Sequence, residues 1–290
     1  MRDLLDGVRP TDRPARLLLV HAHPDDETLT TGVAIAHHVA RGDEVHVLTC
    51  TLGEEGEVIP PELAHLEGDG PTLAAFRRTE LAAAMAALGA THHLLGAVTP
   101  QDAPAFRDSG MAGSAAAADP RAWAGVSLAA AAEALGAVLE AVRPDVVVTY
   151  DAGGGYGHPD HVRTHEATRA AVAATGSAPP LFGTLTPVSW AVEDAAWLRE
   201  HVPADAGWVL PAEDSPYAAN VVPDEVVTHA VLDAGVLAAQ AAALRAHATQ
   251  VVVGDGWYAL SNRHVFRLAG REGYARLDPS TGRPLPEGAA

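Results

Sequence analysis

Arg16-Leu-Leu-Leu-Val-His21, running directly into Ala22-His-Pro-Asp-Asp-Glu27, is the stretch on which the fold turns. Its first half is a short, nearly continuous apolar run, the pattern of a strand buried on both faces of a parallel sheet. From Thr28 to Arg41 apolar and small residues recur at helical spacing, and Gly42 supplies a stop. A buried strand, a turn dense in His and Asp, and an amphipathic helix together make the opening of a βα unit. The alternation continues outward. Glu44 to Thr51 reads as a second buried strand, Thr72 to Leu88 as a helix ending at Gly89, and His92 to Leu95 as a short strand. Leu128 to Val142 is a helix broken by Pro144, Asp145 to Tyr150 the clearest strand, and His161 to Ala174 a further helix.

This order predicts an α/β protein whose residues 1–176 form a Rossmann-like, mostly parallel sheet with helices on both faces. After Gly176-Ser-Ala-Pro-Pro180 the apolar runs shorten and proline interrupts them. A smaller C-terminal α+β portion, residues 177–290, is expected there to complete a substrate cleft. Its elements are strands near Leu181 to Val188 and Glu225 to Leu232 and a helix from Gly235 to His247. The tail from Gly270 is expected to be loosely held, and the small-residue stretch Ser109 to Pro120 to be a loop beside the sheet.

Composition narrows the function. Across 290 residues, 19 Lys and Arg face 37 Asp and Glu, a net charge of −18 that repels a nucleic-acid backbone. No run approaches the roughly 18 apolar residues of a membrane span, and Met1 to Gly7 lacks the apolar core of a signal peptide. A cytoplasmic enzyme with a small-molecule substrate, no membrane attachment and no obligate protein partner is the expectation. The lone Cys50 lies in an apolar strand and reads as a buried structural thiol.

Ligands of open α/β sheets bind beyond the carboxyl ends of the strands. Two clusters fall there: His21-Ala-His-Pro-Asp-Asp-Glu27 after the first strand, and Tyr150-Asp-Ala-Gly-Gly-Gly-Tyr-Gly-His-Pro-Asp-His161 after the Val146–Val148 strand. A catalytic zinc site needs three protein ligands and one open position. His23 and Asp26 plus one remote histidine meet that count, and Asp25 is left free to act as a base. Three glycines let the second loop approach a ligand, His158 and His161 sit three apart at a helix entry, and Tyr156 adds a donor. Against this, Asp25 or Asp26 could simply cap the following helix. Capping needs one acid and no histidine, so the whole motif favours metal. Glu54-Glu-Gly-Glu57 follows the second strand at the same edge; Glu57 either lines the site or belongs to an exposed acidic loop. A dinucleotide-binding protein would need a glycine-rich turn after the first strand, where carboxylates stand instead.

At these two motifs the sequence resembles the LmbE-like, or PIG-L, zinc deacetylases. Thr49–Val58, Arg107–Gly113, Val148–Asp151 and Tyr258–Asn262 resemble the branch that removes acetate from GlcNAc-inositol in mycothiol biosynthesis. The resemblance implies a metal held by His23, Asp26 and His161, zinc with Fe2+ as the alternative. It implies Asp25 as general base, and His158 as its acid or electrostatic partner, cationic and oriented by Asp160, donating to the leaving amine. Tyr156 would support the oxyanion. Arg77, placed by an aromatic-Arg-x-x-Glu-Leu pattern, Asp108, Glu57 and Met111 would contact sugar and inositol hydroxyls. The sister branch that cleaves mycothiol S-conjugates carries a lysine a few residues after its Glu; Glu27-Thr-Leu-Thr-Thr-Gly32 has none.

Overall fold

A computed structural model of the chain describes residues 1–286 except 98, 100, 101, 177 and 204–206. Residue 177, the start of the expected C-terminal portion, and the last four residues of the tail therefore lie outside the described residues. The chain order is β1 (Arg16–His21), α1 (Asp26–Ala40), β2 (Glu44–Thr49), α2 (Gly70–Leu88), β3 (Thr91–Leu94), α3 (Leu128–Val142), β4 (Val146–Tyr150), α4 (Gly154–Gly157) and α5 (Pro159–Ala174). It continues with β5 (Leu181–Pro187), α6 (Val188–His201), β6 (Val221–Val222), β7 (His229–Leu232), α7 (Leu237–Ala246), β8 (Val252–Val253), β9 (Trp257–Ala259), β10 (Val265–Arg267) and β11 (Arg271–Leu277).

The main sheet runs β3-β2-β1-β4-β5-β11-β7, and β6 pairs with β5. From β3 to β5 every pairing is parallel, whereas β11 is antiparallel to both β5 and β7. β8, β9 and β10 form a separate antiparallel sheet. Strands from both sides of residue 177 thus share one sheet. The alternation of β-strand side chains divides its core into two layers. Leu17, Leu19, Val45, Val47, Val146 and Val148 pack with α1, α2 and α7 residues such as Ile35, Leu81 and Ala243. Leu18, Val20, Leu48 and Val147 face Leu135 of α3 and Ala171 and Val172 of α5 on the other side. Cys50 is fully buried in that second layer, and burial pushes its thiol up to about 12, so the structural reading of it stands.

Local signals explain where the helices begin. Asp69 accepts the N–H of Thr72 at the start of α2, Ser127 accepts that of Ala130 at the start of α3, and Pro159 opens α5. Two expectations need correction. The segment from Gly270 is not loose at its start, because Arg271–Leu277 is a strand in the middle of the main sheet's C-terminal half. Its charged residues hide that: Arg271 pairs with Glu193 and Asp194, and Glu272 accepts the backbone N–H groups of Val33 and Ala34. Helix α6 also went unexpected, because it buries little beyond Leu198 and so shows no apolar stripe. No helix among the described residues is long and apolar enough to cross a membrane.

Candidate metal and catalytic site

Because β1 pairs with β4, the loops after His21 and Tyr150 leave the sheet side by side. They bring together the two motifs. Asp26 Oδ2 lies 3.4 Å from His23 Nδ1 and 3.3 Å from His161 Nε2, and the two ring nitrogens are 3.3 Å apart. Bonds of about 2.0–2.1 Å around a tetrahedral ion separate its donors by about 3.3–3.4 Å, so this triangle fits one divalent metal with its fourth position open. The outer nitrogens are anchored as metal-binding imidazoles require. His161 Nδ1 meets the Gly154 carbonyl at 3.2 Å, and His23 Nε2 lies 3.2 Å from Asp160. A Cβ on Gly154 would strike His161 Cβ and the Val162 nitrogen, each at 2.8 Å, which is why glycine stands there.

The electrostatics fit a cation as well. Burial opposes charge on Asp26, but His161 and His23 outweigh it and hold the carboxyl well below its usual range. Burial likewise opposes a proton on His23; Asp108, Asp160 and Asp26 overcome it and raise that pKa well above the ordinary value.

Asp25 stands at the N-cap of α1 with φ 98° and ψ −35°, yet its side chain makes no capping bond. Among the described residues its carboxyl caps nothing, which removes the helix-cap reading. Burial, with the charge of Asp26, holds that carboxyl well above the usual carboxylate range. Asp26 is no side-chain cap either: Oδ2 accepts the His23 N–H at 3.0 Å and the Tyr150 hydroxyl at 2.7 Å.

His158 is the N-cap of α5, and its ring lies 4.7 Å from that of His23 and 5.0 Å from that of His161. Burial, then the charges of His23 and His161, lower its pKa to about 4. That direction runs against the cationic His158 expected from the resemblance and favours the neutral ring. Its Nδ1 accepts the Asp160 N–H at 3.2 Å, so the proton sits on Nε2. The resemblance implied that Asp160 orients and tunes His158, and its backbone N–H does meet that ring. The Asp160 carboxylate takes His23 Nε2 and the N–H groups of Ser109 and Ala124. Tyr156, 64% exposed, stands at the rim with its ring 5.1 Å from that of His161.

The expected substrate contacts divide. Arg77 is buried and donates to the carbonyls of Gly53 and Glu57. Asp108 is also buried, 3.5 Å from His23 Nε2, and accepts the N–H groups of Gly110 and Glu55. Glu57 and Met111 are exposed, and Glu57 touches Arg77 only through its backbone. Three residues went unassigned in the sequence: Tyr150, Glu27 and His247. Tyr150 and Glu27 sit inside the quoted motifs, but His247 carries no local signal beyond being one histidine at a helix end.

Comparison with known proteins places both motifs inside one family match. The family model described as GlcNAc-PI de-N-acetylase (PIG-L) matches residues 18–172, which span both motifs. A 1D-myo-inositol 2-acetamido-2-deoxy-alpha-D-glucopyranoside deacetylase of Rhodococcus jostii is 50% identical over 260 residues, covering 85% of this chain and 86% of the relative. The protein of that name from Mycolicibacterium smegmatis is 45% identical over 276 residues, covering 92% and 91%. In fold the chain is similar to the N,N'-diacetylchitobiose deacetylase from Pyrococcus horikoshii, with a TM-score of 0.51 at 21% identity over 85% of this chain and 73% of that one. It is equally similar to a deacetylase of the teicoplanin biosynthesis pathway, with a TM-score of 0.51 at 18% identity over 91% and 99%. With both motifs inside the matched region and such relatives up to 50% identical over the aligned residues, the chain belongs to the GlcNAc-PI de-N-acetylase (PIG-L) family.

Proposed function

We propose that this protein hydrolyses the acetamide of GlcNAc-inositol to GlcN-inositol and acetate, using zinc held by His23, Asp26 and His161. The observation that carries the reading is the near-equilateral donor triangle beside an uncapped Asp25. The substrate comes from relatives of that activity that match over most of both chains. When bound, the zinc supplies an activated water and a Lewis acid beside the amide carbonyl.

Asp25 accepts a proton from the attacking water as the C–O bond forms. With its pKa held up by burial and Asp26, it then returns that proton to the amine nitrogen as the C–N bond breaks. His158, neutral and protonated on Nε2, donates a hydrogen bond to the developing oxyanion, and the Tyr156 hydroxyl donates from the rim. Asp160 fixes His23 and keeps the Ser109 and Ala124 backbone in place. Arg77 and Asp108 shape the floor of the sugar pocket, Glu57 and Met111 its rim, and the portion after residue 176 closes the cleft.

The deciding measurement is kcat/KM for GlcNAc-inositol and for a mycothiol S-conjugate on one metal-loaded preparation. The expected result is at least a tenfold preference for GlcNAc-inositol, about 1.4 kcal/mol of transition-state discrimination. A preference for the conjugate would reassign the protein to the amidase branch. No GlcN-inositol formed from either substrate, at full metal occupancy, would reject the substrate class.

A further inference from the structure

The turn that carries Asp25 is held from the far end of the chain. Asp25 occupies a left-handed backbone conformation, φ 98°, which residues other than glycine avoid. Three side chains from the segment around α7 reach the residues on either side of it. Gln250 Nε2 donates to the Pro24 carbonyl at 2.7 Å, and Gln240 Nε2 donates to the Thr28 carbonyl at 3.2 Å. His247 Nε2 lies 2.8 Å from Glu27 Oε1, and the second Glu27 oxygen accepts the N–H of Asp25 at 3.0 Å.

Both side chains of the His247–Glu27 pair are wholly buried. His247 Nδ1 has no partner among the described residues, so Glu27 is the polar contact that orients the ring. A buried ion pair elsewhere in a core would only be structural. Here the chain of contacts ends on the backbone of Asp25, whose φ of 98° is the largest of the positive values among the described non-glycine residues and whose carboxylate must face the reacting atoms.

We propose that His247 is a positioning residue for the reaction: it fixes Glu27, Glu27 holds the Asp25 N–H, and the pair thereby sets the direction of the Asp25 carboxylate. This rests on Asp25 being the base. A displacement of about 1 Å at a catalytic group costs about a hundredfold in rate, so the effect belongs in kcat and leaves substrate binding alone.

The test is a double-mutant cycle on the metal-loaded enzyme, reading kcat, KM, zinc per chain and thermal midpoint. His247→Leu is expected to lower kcat about 30–100-fold with KM within about twofold and zinc retained. His247→Gln, whose amide nitrogen reaches the Nε2 position, should restore kcat to within about fivefold of the parent. In an Asp25→Asn background, His247→Leu should cost less than about threefold, because it acts through Asp25. Should His247→Leu not fold, His247→Asn, too short to reach Glu27 yet polar, replaces it in the same cycle. An equal loss in both backgrounds, or a parent-like kcat in the single variant, overturns the positioning role. If Asp25→Asn alone turns over nearly normally, the base reading fails, and the positioning role fails with it.

Discussion

Tyr150 shows how much of the site is decided one residue at a time. Its hydroxyl donates to Asp26 Oδ2 at 2.7 Å and accepts the Ala22 N–H at 2.8 Å, while its ring stacks on His161 at 4.3 Å between centroids. One side chain therefore braces two of the three proposed metal ligands. Tyr150→Phe keeps the ring on His161 and deletes both hydroxyl hydrogen bonds, to Asp26 and from the Ala22 N–H, so metal affinity should fall about 10–100-fold, as removal of such supporting groups does. A competition titration against a chelator measures it, and unchanged affinity would mean that the hydroxyl plays no part. The sequence pointed to the proposed ligands because His, Asp and Pro cluster within a few residues. It did not reveal Tyr150, which reads as the last residue of an apolar strand and acts on a partner 124 positions away. Nor did it reveal that the Asp160 carboxylate serves His23, since two adjacent histidine partners cannot be ranked by spacing alone.

At the scale of elements, β11 is where polarity misled. A charged strand looks like a tail until its partners are placed. Glu272 reaches from β11 to the backbone of α1 and takes the Tyr274 hydroxyl at 2.7 Å. Burial nonetheless pushes its carboxyl up to about 7. A raised folded-state pKa means that the folded protein favours the protonated acid. The stability this gives is complete below the unfolded value near 4.5 and is lost as pH rises through about 7. The loss amounts to about 3 kcal/mol as an order of magnitude. Glu272→Gln should consequently show a smaller drop in thermal midpoint between pH 5 and pH 8 than the parent. Parallel profiles would show that Glu272 ionises freely in the folded state. Helix α6 escaped notice for the opposite reason: it lies on the surface and buries too little to leave a pattern.

For the whole molecule, the parallel half of the sheet was legible because apolar strands and amphipathic helices alternate, and that alternation brings the ends of β1 and β4 together. The return of the chain was not legible. β11 inserts between β5 and β7, and His247 and Gln250 reach back to the Asp25 turn, through contacts that no local period encodes. The division of labour at that turn, with His23 and Asp26 for metal and Asp25 for the proton, is the claim on which the rest depends. It is tested most directly by Asp25→Asn, with zinc per chain and acetate release from GlcNAc-inositol measured on the same preparation as the parent. The expected result is one zinc per chain with turnover down at least a hundredfold, in the range of a lost general base. Turnover within a few-fold of the parent, or zinc lost along with activity, would contradict the account.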